Sequence, residues 1–319
     1  MTLDLIYGGF GQDGTITSQI LASGGVPHIR IGQRSHECVA GSAGLCWLGT
    51  RCLETPFDMN TLTRLNADGV IRDVYFFAGH HASTEKRVAD AADAIASFRV
   101  NYHLFNLVLN ALRRGASSRA VFYANSSKIF ENSGEAIVSE RMMSRPISAY
   151  AESKAMVREL ILSLKDELPF RVYNGILFNH ESAHRKPDFF TAKVINQAIQ
   201  VSRGERDRVE VASLEPSVDM SLASDFCESI IKLMRSSATS GDYIFSSGRA
   251  INLRELVRLI LRKLDLPEVE VMETSPRIRS GAPCPVMGDN SKLQRAVGVT
   301  SRTPEDFVSA LVDEYLLLT

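Results

Sequence analysis

Tyr150 and Lys154 stand four residues apart in the run Tyr150-Ala151-Glu152-Ser153-Lys154, which opens a stretch of helical periodicity. That spacing puts a phenol and an ammonium on one helix face. The cation can lower the phenol pKa, so Tyr150 is a candidate general base toward a sugar hydroxyl while hydride leaves for a nicotinamide. About one turn beyond a predicted strand end, Ser126 offers a hydroxyl that can orient the same oxygen. A Tyr and a Lys at this spacing are also common on ordinary helix surfaces, and what gives them meaning is a glycine-rich turn far upstream. Gly8-Gly9-Phe10-Gly11-Gln12-Asp13-Gly14 falls directly after the first strand and before the first helix. Its G-x-x-G-x-x-G spacing lets a backbone without Cβ atoms press against a pyrophosphate at a helix N-terminus, although such turns also serve merely to reverse a chain. Gly8, Gly11, Gln12, Asp13 and Gly14 are therefore candidate cofactor contacts, joined by Asp58 and by Ala78 and Gly79 at the end of a later strand. After the second strand, Ile31-Gly32-Gln33-Arg34-Ser35 carries no carboxylate where adenosine ribose hydroxyls would be held. Arg34 can face a 2′-phosphate with Ser35 beside it, which points to NADP; the competing reading is a solvated surface arginine.

The elements that must position these residues alternate. Strands are predicted at Leu3–Tyr7, Pro27–Ile31, Asp73–Ala78, Ala120–Ala124 and Phe170–Phe178, and helices at Thr15–Ser23, Thr84–Arg113 and Tyr150–Leu168. This is the pattern of an α/β fold with a doubly wound parallel sheet, a Rossmann domain over residues 1–178. Cys38–Thr55 is rich in Gly and Cys, and only a strand within Leu45–Leu53 is expected there. Beyond Phe178 the alternation weakens into a loop-rich stretch, Asn179–Ser217, followed by helices at Asp219–Arg235 and Leu253–Leu264. Residues 179–319 are thus expected to form mainly a smaller substrate-binding lobe, with a return to the first domain at about 219–248.

The chain has 319 residues, with 36 Lys plus Arg against 37 Asp plus Glu and a net charge of -1. Such a balance gives no field to hold nucleic acid or an anionic membrane. No apolar run is long enough to span a bilayer and the N-terminal residues lack signal-peptide order, so a cytoplasmic location is expected. Five cysteines without a C-x-x-C pair fit a reducing compartment. His36, Cys38, Cys46 and Cys52 match no common zinc-ligand spacing, and no metal is expected. His80 and His81 border the expected cofactor cleft, either as contacts or as hydrogen-bonded structural groups. Glu131 and Glu135 read as solvated loop carboxylates, and the apolar patterns at Leu107–Leu112 and Val157–Leu164 read mostly as core.

With these motifs in hand, the chain resembles the extended short-chain dehydrogenase/reductases, and within them the GDP-mannose 4,6-dehydratase family. The resemblance is carried by GGFGQDG at Gly8–Gly14, DVYFFAG at Asp73–Gly79, ANSSKIF at Ala124–Phe130, AYAESK at Ala149–Lys154, NGILFNHES at Asn174–Ser182, FFTAK at Phe189–Lys193 and GDNSK at Gly288–Lys292. It implies a catalytic triad of Ser126, Tyr150 and Lys154, with Asn179 and Lys193 near the substrate diphosphate. It also implies that His180 and Arg185 lie close to the cofactor, Arg279 lies near the substrate nucleotide, and Asn101 supports a helix bend. A nucleotide-sugar substrate and a homodimer or homotetramer, with part of the apolar helix surface as its seam, are further implications.

Three departures bear on the chemistry. The family's Glu two positions after the catalytic Ser or Thr, which takes the C5 proton, is Lys128 here; the Arg of an R-D-W segment is Val218 before Asp219; and a nucleotide-contacting Glu is Ala282. The expected function is an NADP-dependent reaction at C4 of a nucleotide-activated sugar. Its alternatives are a 4-ketosugar reductase or epimerase that omits dehydration, in which Lys128 steadies alkoxide character, and an NADP-binding protein without turnover.

Overall fold

Runs of β-branched and aromatic residues set the frame of the molecule. The computed structural model describes residues 2–32, 59–80, 91–115, 119–131, 133–274 and 287–318. In chain order, β1 (Leu3–Tyr7), α1 (Gln12–Ser23), β2 (His28–Ile31), α2 (Met59–Ala67), β3 (Ile71–Phe76) and α3 (Ala91–Ser97) come first. A π-helical stretch at Phe98–Leu104 leads into α4 (Phe105–Arg113), then β4 (Ala120–Ser126), a 3-10 turn at Ser127–Phe130, β5 (Ile137–Val138), α5 (Ala149–Leu164) and β6 (Arg171–Leu177). The remainder is β7 (Asn179–Glu181), α6 (Phe190–Ser202), β8 (Arg208–Val211), β9 (Ser217–Leu222), α7 (Ala223–Arg235), β10 (Gly241–Phe245), β11 (Ala250–Asn252), α8 (Leu253–Lys263), β12 (Glu270–Glu273), β13 (Met287–Gly288), α9 (Ser291–Val297) and α10 (Pro304–Leu318).

Six strands form one parallel sheet in the order β10-β6-β4-β3-β1-β2. Its central strands are apolar on both faces because helices cover both, the doubly wound arrangement expected from the sequence. On one face Leu5, Val74, Phe76, Val121 and Val172 pack with residues of α4 and α5 such as Phe105, Val108 and Val157. On the other, Ile6, Tyr75, Phe122, Tyr173 and Phe245 pack with Leu21 of α1 and Phe226 of α7. A separate core joins α6, α8 and α10 to β8 through Val194, Ile195, Val209, Leu256, Ile260 and Leu311. Strand order reverses between β1 and β3, and such a switch point opens a crevice at the carboxyl ends of the strands.

Three expectations are corrected. The predicted helix at Asp219–Arg235 begins only at Ala223, because Ser217–Leu222 pairs with both β7 and β11 as a strand. Asn179–Ser217 is not mainly loop, since it holds β7, α6 and β8. Its helical stripe is broken by Gln197, which is buried because its side-chain amide pairs with the backbone of Glu210 at 2.7 and 3.0 Å, as a neighbouring strand would. Within the described part of Thr84–Arg113 the helix is not uniform but widens at Phe98–Leu104. The strand expected within Leu45–Leu53, together with Arg34, Ser35, Asp58, His81 and Arg279, lies outside the described residues. Among those described, no helix is long and apolar enough to cross a membrane.

Candidate active site

The glycine turn is built by close approach. Gly8 has φ +76°, and a Cβ there would lie 2.5 Å from the Ala78 nitrogen, so only glycine lets the end of β1 meet the chain leaving β3. A Cβ on Gly14 would lie 2.4 Å from the Gly8 oxygen and 2.6 Å from the Gly9 Cα, so α1 rests directly on the turn. Gly11 is the N-cap and no side chain caps the first turn of α1. A helix N-terminus without such a cap presents amide groups and a partial positive charge to an anion. Arg30, which sequence reasoning passed over, braces this turn: Nε donates to the Gly9 oxygen at 2.7 Å, the Thr15 hydroxyl accepts at 3.1 Å, and the guanidinium lies 4.4 Å from the Phe10 ring centroid.

Ser126 ends β4 and Tyr150 is the second residue of α5, whose N-cap Ser148 accepts from the Ala151 amide at 3.2 Å. The Ser126 side chain hydrogen-bonds the Tyr150 phenol. Lys154 is 3% exposed; its Nζ donates to the Ala124 carbonyl at 2.7 Å and sits 4.5 Å from the Tyr123 ring centroid and 5.9 Å from that of Tyr150. Burial lowers the Lys154 pKa to about 7, against the opposing charge of Asp13. The expected lowering of the Tyr150 pKa by Lys154 is not what the geometry gives. Burial raises it, outweighing the Ser126 hydrogen bond and the charge of Arg185, while the ammonium is drawn to Ala124 and Tyr123.

A buried polar chain holds these groups. Asn125 donates to the Lys154 carbonyl at 3.0 Å and to Asn174 at 2.8 Å, and Asn174 donates to Asp242, which pairs with Arg158 at 2.7 Å. Asn101, in the π-helical stretch, accepts from the His80 amide at 2.9 Å and donates to the Ser153 hydroxyl at 2.9 Å. Its carbonyl accepts from the Tyr123 phenol at 2.8 Å. Asn125, Asn174 and Ser153 were not singled out beforehand; the available signal was a polar residue inside an otherwise apolar strand, as Asn125 is in AVFYANS. Gly79 completes the wall, since a Cβ there would lie 3.7 Å from the Lys154 Nζ.

Across the cleft, β7 clasps the turn. His180 Nδ1 donates to the Phe178 carbonyl at 2.7 Å and Nε2 faces the Asp13 carboxylate at 3.1 and 3.2 Å. Gln12 donates to the His180 carbonyl at 3.1 Å and accepts from the Ser182 hydroxyl at 2.9 Å. The side chains of Gln12, Asp13 and His180, expected as cofactor contacts, are thus committed to one another. Arg185 lies 3.7 Å from Glu181 and stacks 3.8 Å from the Phe189 ring centroid. Its charge reaches both Tyr150 and Asp13. Asn179 donates to the Asp219 carbonyl at 3.1 Å, and Lys193 begins one turn after Phe189 on α6. The Asp219 carboxylate is structural: it accepts from Ser247, Gly248 and Gly288, tying β9 to β13.

Lys128 lies in the 3-10 turn after Ser126, and its ammonium is ion-paired with Glu131. Residues i and i+3 eclipse in a 3-10 turn, which is why these two side chains meet. Glu131 is therefore not a free loop carboxylate, and its charge is felt at Tyr150. Among the described residues no cluster of His, Cys, Asp and Glu could hold a metal.

Similar folds are found over the full chain at low identity. RMD from Pseudomonas aeruginosa, in complex with NADPH, superposes with a TM-score of 0.78 at 21% identity, covering 100% of both chains. The UDP-glucose 4-epimerase of Thermotoga maritima, with UDP-glucose, gives 0.82 at 15% identity, covering 99% of each. In sequence, the GDP-mannose 4,6-dehydratase sdnI of Sordaria araneosa is 31% identical over 144 residues, 45% of this chain and 26% of that protein. GDP-mannose 4,6 dehydratase 2 of Arabidopsis thaliana is 28% identical over 254 residues, 77% of this chain and 66% of that protein. The model of the GDP-mannose 4,6 dehydratase family matches residues 5–304. The chain therefore belongs to the GDP-mannose 4,6 dehydratase family.

Proposed function

We propose that the protein is an NADP-dependent enzyme acting at C4 of a nucleotide-activated sugar, a GDP-hexose or its 4-keto derivative. The observation that carries this reading is the meeting of Ser126, Tyr150 and Lys154 with the glycine turn, through Gly79 beside Lys154 and Ala78 beside Gly8. Names of relatives support the substrate class, and the NADPH complex of the Pseudomonas protein supports the cofactor.

The cradle at Gly8, Gly11 and Gly14, which Cβ atoms would crowd, fits a dinucleotide pyrophosphate. Ala78, Gly79, Tyr150 and Lys154 would border the nicotinamide end, and Arg34 with Ser35 and Asp58 the adenosine end. When bound, the nicotinamide supplies a two-electron acceptor and donor. The chain's own part is the proton. As a phenolate Tyr150 would take it from the C4 hydroxyl and as a neutral phenol it would give one to a C4 ketone, with Ser126 holding the same oxygen in line; burial favours the neutral phenol, the donor. A Lys154 pKa of about 7 lets that ammonium adjust its charge near neutral pH beside the phenol. Asn179, Lys193 and Arg279 are assigned to the diphosphate and base of the substrate, with Arg185 beside the cofactor.

A second reading, redox at C4 without loss of water, is favoured by Lys128. It is ion-paired with Glu131, and an ammonium has no lone pair to collect a C5 proton. Tyr150→Phe tests what the two readings share. It should lower turnover of a nucleotide hexose by roughly 100-fold or more, while calorimetry shows NADPH bound as by the wild type. Near wild-type turnover in that variant would remove Tyr150 from the chemistry.

A further inference from the structure

Asp13 stands in the first turn of α1, where the dinucleotide reading places a pyrophosphate. A carboxylate there repels that anion, yet this chain keeps one and gives it a partner 167 positions away. The bridge is shielded, with the His180 side chain 13% and the Asp13 side chain 18% exposed. Because the Phe178 carbonyl accepts from Nδ1 at 2.7 Å, the proton on that nitrogen is fixed, and Nε2 can donate to Asp13 only when the ring is an imidazolium. We propose that the His180 imidazolium neutralises Asp13, making dinucleotide affinity depend on the protonation of His180 and thereby coupling strand β7 to the cofactor turn.

The inference rests on the cofactor assignment above and concerns positioning, not catalysis. Asp13 is also the hub of the clasp: Gln12 donates to its carboxylate at 3.2 Å and the Cys227 thiol of α7 approaches its carbonyl at 3.6 Å. The groups facing His180 are Asp13 on α1, Glu181 on its own strand, Arg185 in the following loop, and the Phe226 ring of α7 at 5.3 Å. Burial opposes both charges of the pair, but their mutual attraction prevails, holding Asp13 below its ordinary range and His180 above. Arg185 adds to the attraction at Asp13 and works against the imidazolium. As pH rises through the His180 pKa the cation is lost, Asp13 loses its nearest counter-charge and keeps only the more distant Arg185, and the pyrophosphate site becomes more negative.

Calorimetric titration of NADPH between about pH 7 and 9.5, above the range where a phosphate monoester changes charge, tests this in wild type, Asp13→Asn and His180→Gln. Wild-type affinity should fall with pH by roughly tenfold more than that of Asp13→Asn, the scale of one uncompensated charge near the ligand. Lys154 titrates in all three proteins and the charge of Asp13 raises its pKa, so the His180 contribution is read from wild type against His180→Gln, which keeps Asp13, with Asp13→Asn as the check that the carboxylate is needed. His180→Gln should bind roughly tenfold more weakly than wild type at pH 7 and converge with it at high pH. Parallel pH profiles in wild type and Asp13→Asn, or a His180→Gln profile superimposable on wild type, would overturn the inference and leave the cofactor assignment standing. Absence of NADPH binding by the wild type would overturn both.

Discussion

Under the proposed function, one side chain, Lys128, separates elimination from redox at C4. Elimination of water across C5 and C6 needs a base within about 3 Å of the C5 proton once C4 is a ketone. At the position two residues beyond Ser126 the chain has Lys128, paired with Glu131 and 46% exposed. The Glu131 carboxylate is engaged by that ammonium, which it would have to leave to collect the C5 proton. The expected product from a GDP-hexose therefore keeps its C6 oxygen, and Lys128→Glu should introduce or increase water loss. In that variant two carboxylates meet on one face of the 3-10 turn, which raises the pKa of one and suits it to proton transfer. Mass spectrometry of the products reads both outcomes. A wild-type product lighter by one water would assign the proton to Glu131 or to a neutral Lys128 and end the redox-only reading.

Elements explain why some of the site was legible in the sequence and some was not. Gly8–Gly14 and Tyr150–Lys154 are local: residue type and spacing already determine which atoms share a turn or a helix face. The Asp13–His180 bridge is not local, and neither motif alone shows that it points at the other. Buried polar residues misled most, because Gln197 and Asp219 are satisfied by backbone groups from other elements and so interrupt the apolar periodicity that marks a helix or strand. The π-helical stretch shows the same effect. There a helical side chain and carbonyl, both of Asn101, are enlisted by His80, Ser153 and Tyr123. Asn101→Ala would leave the His80 amide and part of the Ser153 hydroxyl without these partners, with Ser153 fully buried and His80 partly so. At about 1–3 kcal/mol per stranded group, the expected loss is about 2–4 kcal/mol, together with a lower turnover as Ser153, which keeps its bond to the Tyr150 carbonyl at 2.7 Å, loses the donor that orients it. Urea unfolding at constant m value measures the first; a change under about 0.5 kcal/mol, the range of featureless surface substitutions, would show that the stretch does not depend on Asn101.

At the scale of the whole molecule, the site and a second charged cluster occupy opposite ends of the sheet. The carboxyl ends of β1 and β3 carry the cleft, while their amino ends carry Asp4 and Asp73, both buried on the face that packs against α7. Arg72 is bidentate to Asp4 at 2.7 and 2.9 Å and only 3.3 Å from Asp73, whose Oδ1 has no hydrogen-bond partner among the described residues. Burial, reinforced by the charge of Asp4 and only partly offset by Arg72, Arg235 and Arg119, pushes the Asp73 pKa up to about 6. Since the folded state holds this proton more tightly than the unfolded chain, whose ordinary value is 3.8, the stabilising contribution is complete below that value and is lost as pH rises through about 6. Above that point the ionised carboxylate burdens the fold. Asp73→Asn keeps the shape and removes the charge, leaving Arg72 its bond to Asp4. The variant should therefore gain about 1–3 kcal/mol over wild type near pH 7.5, from roughly 1.4 kcal/mol per pKa unit, and almost nothing near pH 4. Comparing urea midpoints of the two proteins across that window cancels the carboxylates that do not interact with Asp73. A gap that stayed constant with pH, or a variant weaker than wild type at pH 7.5, would mean that Asp73 is held as an ion by Arg72 and supports the amino end of the sheet instead of straining it.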